Sequence, residues 1–212
     1  MFVETFLVAL TTFFATIGPA DMAVVFLALT RDSKPEARAG FALRGVAIGG
    51  GILLFFAAFG EPILALFGIS LPALRTAGGV LLMLISIDMV FARSSGGRST
   101  TTEEDIEARQ RDDISVFPLA TPLIAGPGAI SAVILLIAGA EGDYLQDIAV
   151  VVALLTILLL TYVMLRLAIP IQRLLGVTGL HVVSRIVGVL LAALAVQFIF
   201  DGIRSSGLLA LS

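Results

Sequence analysis

Pro118-Leu119-Ala120-Thr121-Pro122-Leu123-Ile124-Ala125-Gly126-Pro127-Gly128 sets three prolines and two glycines inside an uncharged run from Ser115 to Ala140. Proline removes an amide donor and crowds the preceding turn, while glycine accepts backbone angles closed to other residues. A helix through this run breaks, at roughly 15 to 20 Å from its start by the rise per residue. That depth is near the middle of a bilayer core about 30 Å thick. Ala15-Thr16-Ile17-Gly18-Pro19-Ala20-Asp21 carries a second Gly-Pro break inside another apolar run.

The composition says which solvent such runs meet. Of 212 residues, 58% are hydrophobic and 14% charged, against about 25% charged in a water-soluble domain. This points to a polytopic all-α membrane protein. Runs long enough to cross a bilayer are Phe2 to Thr30, Phe41 to Leu66, Leu71 to Ala92, Ser115 to Ala140, Ile148 to Ile169 and Leu180 to Ile203. The first has no basic residue ahead of it and is too long for a signal peptide, so it reads as transmembrane helix one.

Zero Cys and the single His181 exclude disulfides and a clustered zinc or iron site, so no metal or other cofactor is expected. No basic tract tracks a phosphate backbone, so nucleic acid is not an expected partner. There is no Ser-His-Asp set, HExxH or GxxxxGK[ST] loop, and neither an enzyme nor an ATP-driven pump is expected.

The polar stretch 93–113, RSSGGRSTTTEEDIEARQRDD, reads as a flexible linker between a first three-helix half, 1–92, and a second, 114–212. Arg31, Lys34, Arg38, Arg44, Arg93, Arg98, Arg109, Arg111, Arg166, Arg173 and Arg185 fall on one side, and only Arg75 and Arg204 on the other. The bias puts the first set in the cytoplasm and both termini outside. An offset of 108 residues lays Gly18-Pro19 on Gly126-Pro127 and Pro62, Ile63, Leu66 and Gly68 on Pro170, Ile171, Leu174 and Gly176. Two further residues bring Arg75 and Gly78 onto Arg185 and Gly188. Three helices is an odd number, so the second copy is inverted: a three-plus-three inverted repeat with helices one and four broken. Secondary transporters use this design, binding solute near the midplane.

The half-helices that restart after the breaks present unpaired N–H groups and a positive dipole end, a cradle suited to an anionic or carboxylate group. The candidate substrate-binding residues are Thr16, Gly18, Pro19, Asp21, Thr121, Gly126, Pro127, Gly128, Ser131 and Gln197. Asp21 is either a cap on the restarted helix or a proton- or cation-binding carboxylate that couples transport to protons. Gln197 reads as an interhelical hydrogen-bonding group or a substrate contact, and Gly45, Gly49, Gly50, Gly51, Gly78, Gly79 and Gly188 as close-packing faces. His181 reads as a solvated interfacial residue.

FGISLPALRTAGG (Phe67 to Gly79), PLATPLIAGPGAIS (Pro118 to Ser131) and SRIVGVLLAALAVQFIFDGI (Ser184 to Ile203) closely resemble the MarC family of bacterial inner-membrane proteins, and the six-helix pattern fits along the whole chain. The resemblance implies a multi-pass protein of the inner membrane. The family's grouping with LysE-type exporters implies efflux of a small solute. Family members tend to carry an Asn-Pro arrangement at the first break, where this chain has Thr16, Gly18, Pro19 and Asp21. The expected function is therefore secondary transport or export of a small polar or charged solute bound between helices one and four. The alternative is a membrane scaffold or regulator acting through the 93–113 loop.

Overall fold

The computed structural model describes residues 1–30, 33–91, 113–140 and 142–207, without the side chains of 172–178, 180, 181, 183 and 184. The linker expected at 93–113 lies outside the described residues apart from Asp113, and so does the side chain of His181.

Every described element is helical: α1 (Phe2–Ile17), α2 (Pro19–Leu29), α3 (Pro35–Leu66), α4 (Leu71–Phe91), a wide-turn segment (Ser115–Ile124), α5 (Pro127–Ala138), α6 (Tyr144–Arg166) and α7 (Ala168–Ser205). Five stretches are long and apolar enough to cross a membrane: Phe2–Leu29, Pro35–Leu66, Leu71–Phe91, Tyr144–Arg166 and Arg185–Ser205. The wide segment and α5, bent by 55° at their junction, make a sixth when taken as one span. Leu43, Phe55, Phe59, Leu84, Leu159 and Phe200 are exposed on the outside of the bundle, where a hydrocarbon solvent accepts them.

Three helix starts fall earlier than the charge gaps suggest, α6 among them at Tyr144 rather than Ile148. α3 begins at Pro35 rather than Phe41, because proline at the first helical position gives up an amide that has no partner there anyway. α7 begins at Ala168, one residue past the end of α6, where the charge gap placed the start at Leu180. Pro170 lies in its first turn, which tolerates it for the same reason. α6 opens on Asp143, whose side chain accepts from the Leu145 N–H. Arg38 Nε donates to Thr30 O at 2.9 Å, setting a cation at the negative end of α2.

α4 packs against α7, α1 and α2 against α6, and α3 against the wide segment; α2 also meets α7, and α4 meets α5. Glycine sets the closest of these approaches. A Cβ on Gly79 would stand 2.7 Å from Ala195 O, one on Gly188 2.9 Å from Met89 Cβ, and one on Gly78 3.1 Å from Ser131 Cβ. On α3, Gly45 lies against Leu119, while a Cβ on Gly49 would meet Ile124 Cγ2 at 2.7 Å and one on Gly50 would meet Leu158 Cδ1 at 2.9 Å. Gly51, expected to pack with them, has nothing within 4 Å of its Cβ position.

Candidate functional site

Both Gly-Pro dipeptides interrupt a helix, and they do it differently. Gly18 lies in the left-handed region (φ 62°, ψ 66°), closing α1 by donating to Phe14 O at 3.0 Å and opening α2 by accepting from Met22 N at 2.9 Å. A single left-handed residue thus ends one helix and starts the next, with Pro19 at the first position of α2. Gly126 has an extended backbone (φ −82°, ψ 168°) that any residue adopts. Its glycine is required by space: a Cβ would sit 2.5 Å from Pro122 O.

Upstream of Gly126 the chain is not an ordinary helix. Phe117 (φ −131°, ψ 127°) and Thr121 (φ −133°, ψ 130°) are extended, and each stands immediately before a proline, where the pyrrolidine ring disfavours the helical region. The peptide bonds to Pro118 and Pro122 are cis. Hydrogen bonds widen to five residues, Leu119 N to Ile114 O at 3.2 Å and Ala125 N to Ala120 O at 2.9 Å. The break expected at Gly126 therefore extends back to Phe117.

The two broken spans touch: α1 packs against α5, and α2 against the wide segment. Phe13, Ile17, Met22, Leu119, Ile124 and Ala129 belong to one buried cluster that runs through both. α4 lies against the second break. Its Leu82 and Ile85 cluster with Ala15 of α1, and both come within 3.1 Å of a Cβ built on Gly128.

The candidate residues separate into groups. Thr16 is buried beside the first break, but its hydroxyl donates to Thr12 O at 2.9 Å within α1. Asp21, half-buried, occupies the first turn of α2, a position where a carboxylate offsets the helix dipole. Gly128 and Ser131 are buried on α5 against α4, Gly126 is half-buried and Pro127 exposed. The Thr121 hydroxyl bonds weakly back to Val116 O at 3.4 Å. Gln197 does not join them. It is exposed, and its amide donates to Asp201 Oδ1 at 3.0 Å one turn along the same helix rather than across a helix pair.

The first turn of α2 already holds an acidic residue, whereas α5 has none in its first turn and no side-chain cap on Gly126. Of the two restarted helices, α5 is thus the one electrostatically suited to a negative group. A separate cavity of about 530 Å³ opens between α1, α6 and α7. It is lined by Leu10, Phe14, Ile157, Leu160, Leu190 and Leu194, and the hydroxyls of its Thr11 and Thr156 donate to carbonyls of their own helices. That lining offers nothing to a charged solute.

Polar pairs at the helix starts were not singled out in the sequence: Thr5 with Gln146, and Arg44 with Asp113. The Ser115 hydroxyl beside Asp113, the Ser115 N–H and the Arg44 guanidinium together hold the Asp113 carboxyl below the ordinary range, against a smaller opposing effect of burial. Hydrogen bonds from Gln146 and then from the Leu145 N–H do the same for Asp143. No sequence signal flags the pairs: Thr5 and Asp113 are 108 residues apart like the two Gly-Pro dipeptides, but the same offset lays Gln146 on Arg38 rather than on Arg44.

The pattern described as "MarC family integral membrane protein" matches residues 3–206. A UPF0056 membrane protein of Methanocaldococcus jannaschii is 39% identical over 97% of this chain and 99% of its own length. YvbG, a UPF0056 membrane protein of Bacillus subtilis, is 34% identical over 90% of each chain. YhcE, a UPF0056 membrane protein of Escherichia coli, is 36% identical over 90% of this chain and 88% of its own. No solved structure matches. With membrane-spanning helices throughout and a family match along nearly its whole length, the chain belongs to the MarC family of integral membrane proteins.

Proposed function

We propose that this protein is a secondary transporter of a small polar or charged solute, bound where broken helices one and four cross. Its residues 1–92 and 114–212 form the two halves of an inverted repeat joined by the 93–113 linker. The observation that carries the reading is that the most extensive helix contacts come in pairs related by the 108-residue offset. Under it, the first broken span (α1, α2) corresponds to the second (wide segment, α5), α3 to α6 and α4 to α7. The contact of α1 with α6 has its mate in that of the wide segment with α3. The contact of α2 with α7 has its mate in that of α5 with α4, and α4 with α7 is its own mate. Two halves related in this way can exchange conformations, which supplies inward-open and outward-open states from one fold. The bias of Lys and Arg supports placing both termini outside, in the periplasm of a bacterial inner membrane.

α5 is the half-helix that favours an anionic or carboxylate group, and Asp21 on α2 is the carboxylate through which protons could couple to movement. Thermal melting of purified protein against amino acids, organic acids, small inorganic ions and drugs at several pH values tests this. A ligand at 100 times its Kd adds about 2.7 kcal/mol to the folded state. At least one compound should raise the melting temperature and enter proteoliposomes made with the protein, and Asp21→Asn should remove both effects. No stabilisation by any compound, from monodisperse protein that unfolds cooperatively, would overturn the reading. Leucine at Gly126 is a poor probe of function, because its Cβ meets the Pro122 carbonyl and the fold itself is disturbed.

A further inference from the structure

Two polar clamps stand at corresponding corners of the bundle. At one, Thr5 Oγ1 donates to Gln146 Oε1 at 3.2 Å, joining the first turn of α1 to the first turn of α6. Gln146 Nε2 donates in turn to Asp143 Oδ2 at 3.0 Å, while Asp143 Oδ1 accepts from Leu145 N at 2.9 Å. An ionised carboxylate only accepts, so it takes the NH₂ side of the Gln146 amide and leaves the carbonyl for Thr5. At the other corner Arg44 Nη1 lies 3.0 Å from Asp113 Oδ2, joining α3 to the start of the wide segment, and Asp113 Oδ1 accepts from Ser115 N at 2.9 Å.

Thr5 and Asp113 are equivalent under the 108-residue offset, and so are the helices they reach, α6 and α3, although Gln146 corresponds to Arg38 and the second contact falls six residues further along, at Arg44. Three spans separate Thr5 from Asp113, so the clamps stand at opposite faces of the membrane. Each is a polar contact between elements of different halves. The ionic one is half-exposed, at 55% for Arg44 and 45% for Asp113, and solvent keeps such pairs weak enough to break and re-form.

What lies behind the clamps also corresponds. Thr12, two turns beyond Thr5 on the same face of α1, is 1% exposed and its hydroxyl makes no hydrogen bond to any described group. Its equivalent behind the ionic clamp is Ala120, fully buried. A cavity of about 370 Å³ opens at the first clamp, lined by Glu4, Thr5, Val8, Leu135, Gly139 and Gln146 among others. A buried hydroxyl without a partner is costly unless something comes to bond it.

We propose that the Thr5–Gln146 and Arg44–Asp113 clamps are the outer and inner gates of the solute route, both closed in this structure, and that the cavity beside Thr5 and Gln146 is its outer mouth. This rests on the transport reading. A small solute with hydrogen-bonding groups enters between α1 and α6, where Glu4, Thr5 and Gln146 replace part of its hydration, and passes the Thr12 hydroxyl on its way to the breaks. Opening one gate separates α1 from α6, and opening the other separates the wide segment from α3.

The chain has no cysteine, so single-cysteine reporters read the gates without a substrate. Thr12→Cys reports behind the outer gate and Ala120→Cys behind the inner one, with Thr121→Cys in its place if Ala120→Cys does not insert. Each is exposed to a membrane-impermeant methanethiosulfonate in right-side-out and inside-out vesicles. Gln146→Leu should speed labelling at Thr12→Cys by roughly two- to fivefold, the change expected from losing one exposed polar contact, and slow it at the inner reporter. Arg44→Gln should do the reverse, and 1 M salt should act like Arg44→Gln but not like Gln146→Leu, because about 3 Å of screening length removes an exposed ionic attraction and spares a neutral bond. Labelling unmoved by either variant, or raised at both reporters together as in a loosened fold, overturns the proposal. Reciprocal labelling in a protein that moves no solute keeps the gates and sinks the transport reading. Solute movement with unresponsive reporters does the opposite.

Discussion

Gly18 and Gly126 precede the same residue, proline, and lie 108 residues apart, yet each is glycine for its own reason. Gly18 is needed for a left-handed backbone, which costs another L-residue about 1–2 kcal/mol. Gly126 is needed because the Pro122 carbonyl occupies the space of a Cβ. Substitution series should therefore rank differently in thermal melts. At Gly18, Asn should be tolerated better than Ala and Ala better than Val, since Asn visits the left-handed region most readily. At Gly126, Asn should gain no advantage over Ala. The same ranking at both sites would show that one mechanism serves both. From the sequence the two dipeptides are indistinguishable; φ and the nearest neighbour of a missing Cβ exist only once the chain is folded.

At the scale of elements, the wide segment is where the sequence reading and the structure differ most. Prolines at 118 and 122 foretold a break, but not that Phe117 and Thr121 would both be extended, with five-residue hydrogen bonds between and beyond them. Replacing Pro118 and Pro122 together by Ala restores two amide donors and lifts the restriction on the residues before them. The segment should then regularise, and its amides should exchange more slowly with deuterium by mass spectrometry. Exchange no slower than in the wild type would show that packing against α3, where Gly45 lies against Leu119 and Gly49 against Ile124, imposes the shape. The glycine-lined crossings were readable as close packing. Which glycines take part was not, as Gly51 shows, because orientation about the α3 axis depends on the neighbours. Gln197 carries the same lesson: read as an interhelical group or a substrate contact, it is exposed and bonds to Asp201 on its own helix.

For the molecule as a whole, the clamps at its two faces both contain an aspartate held below its ordinary carboxyl value. A carboxyl lowered in this way stabilises the folded state while ionised. Its contribution is present above the unfolded value, 3.8 for Asp113, and is lost as pH falls through the lowered one. The difference in melting temperature between wild type and Asp113→Asn should accordingly be constant from about pH 5 to 8 and shrink toward zero below about pH 4. A difference that changes near neutrality would point to another titrating group. Because the pair is half-exposed, its worth is about 0–1 kcal/mol.

Alone, the sequence pointed to a membrane protein of five to six apolar spans, to Gly-Pro interruptions within two of its apolar runs, and to the family. These follow from local chemistry: the length of an uncharged run and the missing amide of proline. Only the tertiary structure decided that α4 packs against the second break at Gly128, that Gln197 bonds to Asp201 on its own helix, and that Thr5 meets Gln146 while Arg44 meets Asp113. Those depend on how helices are rotated against each other, which residue order constrains weakly and close packing of side chains in three dimensions constrains strongly.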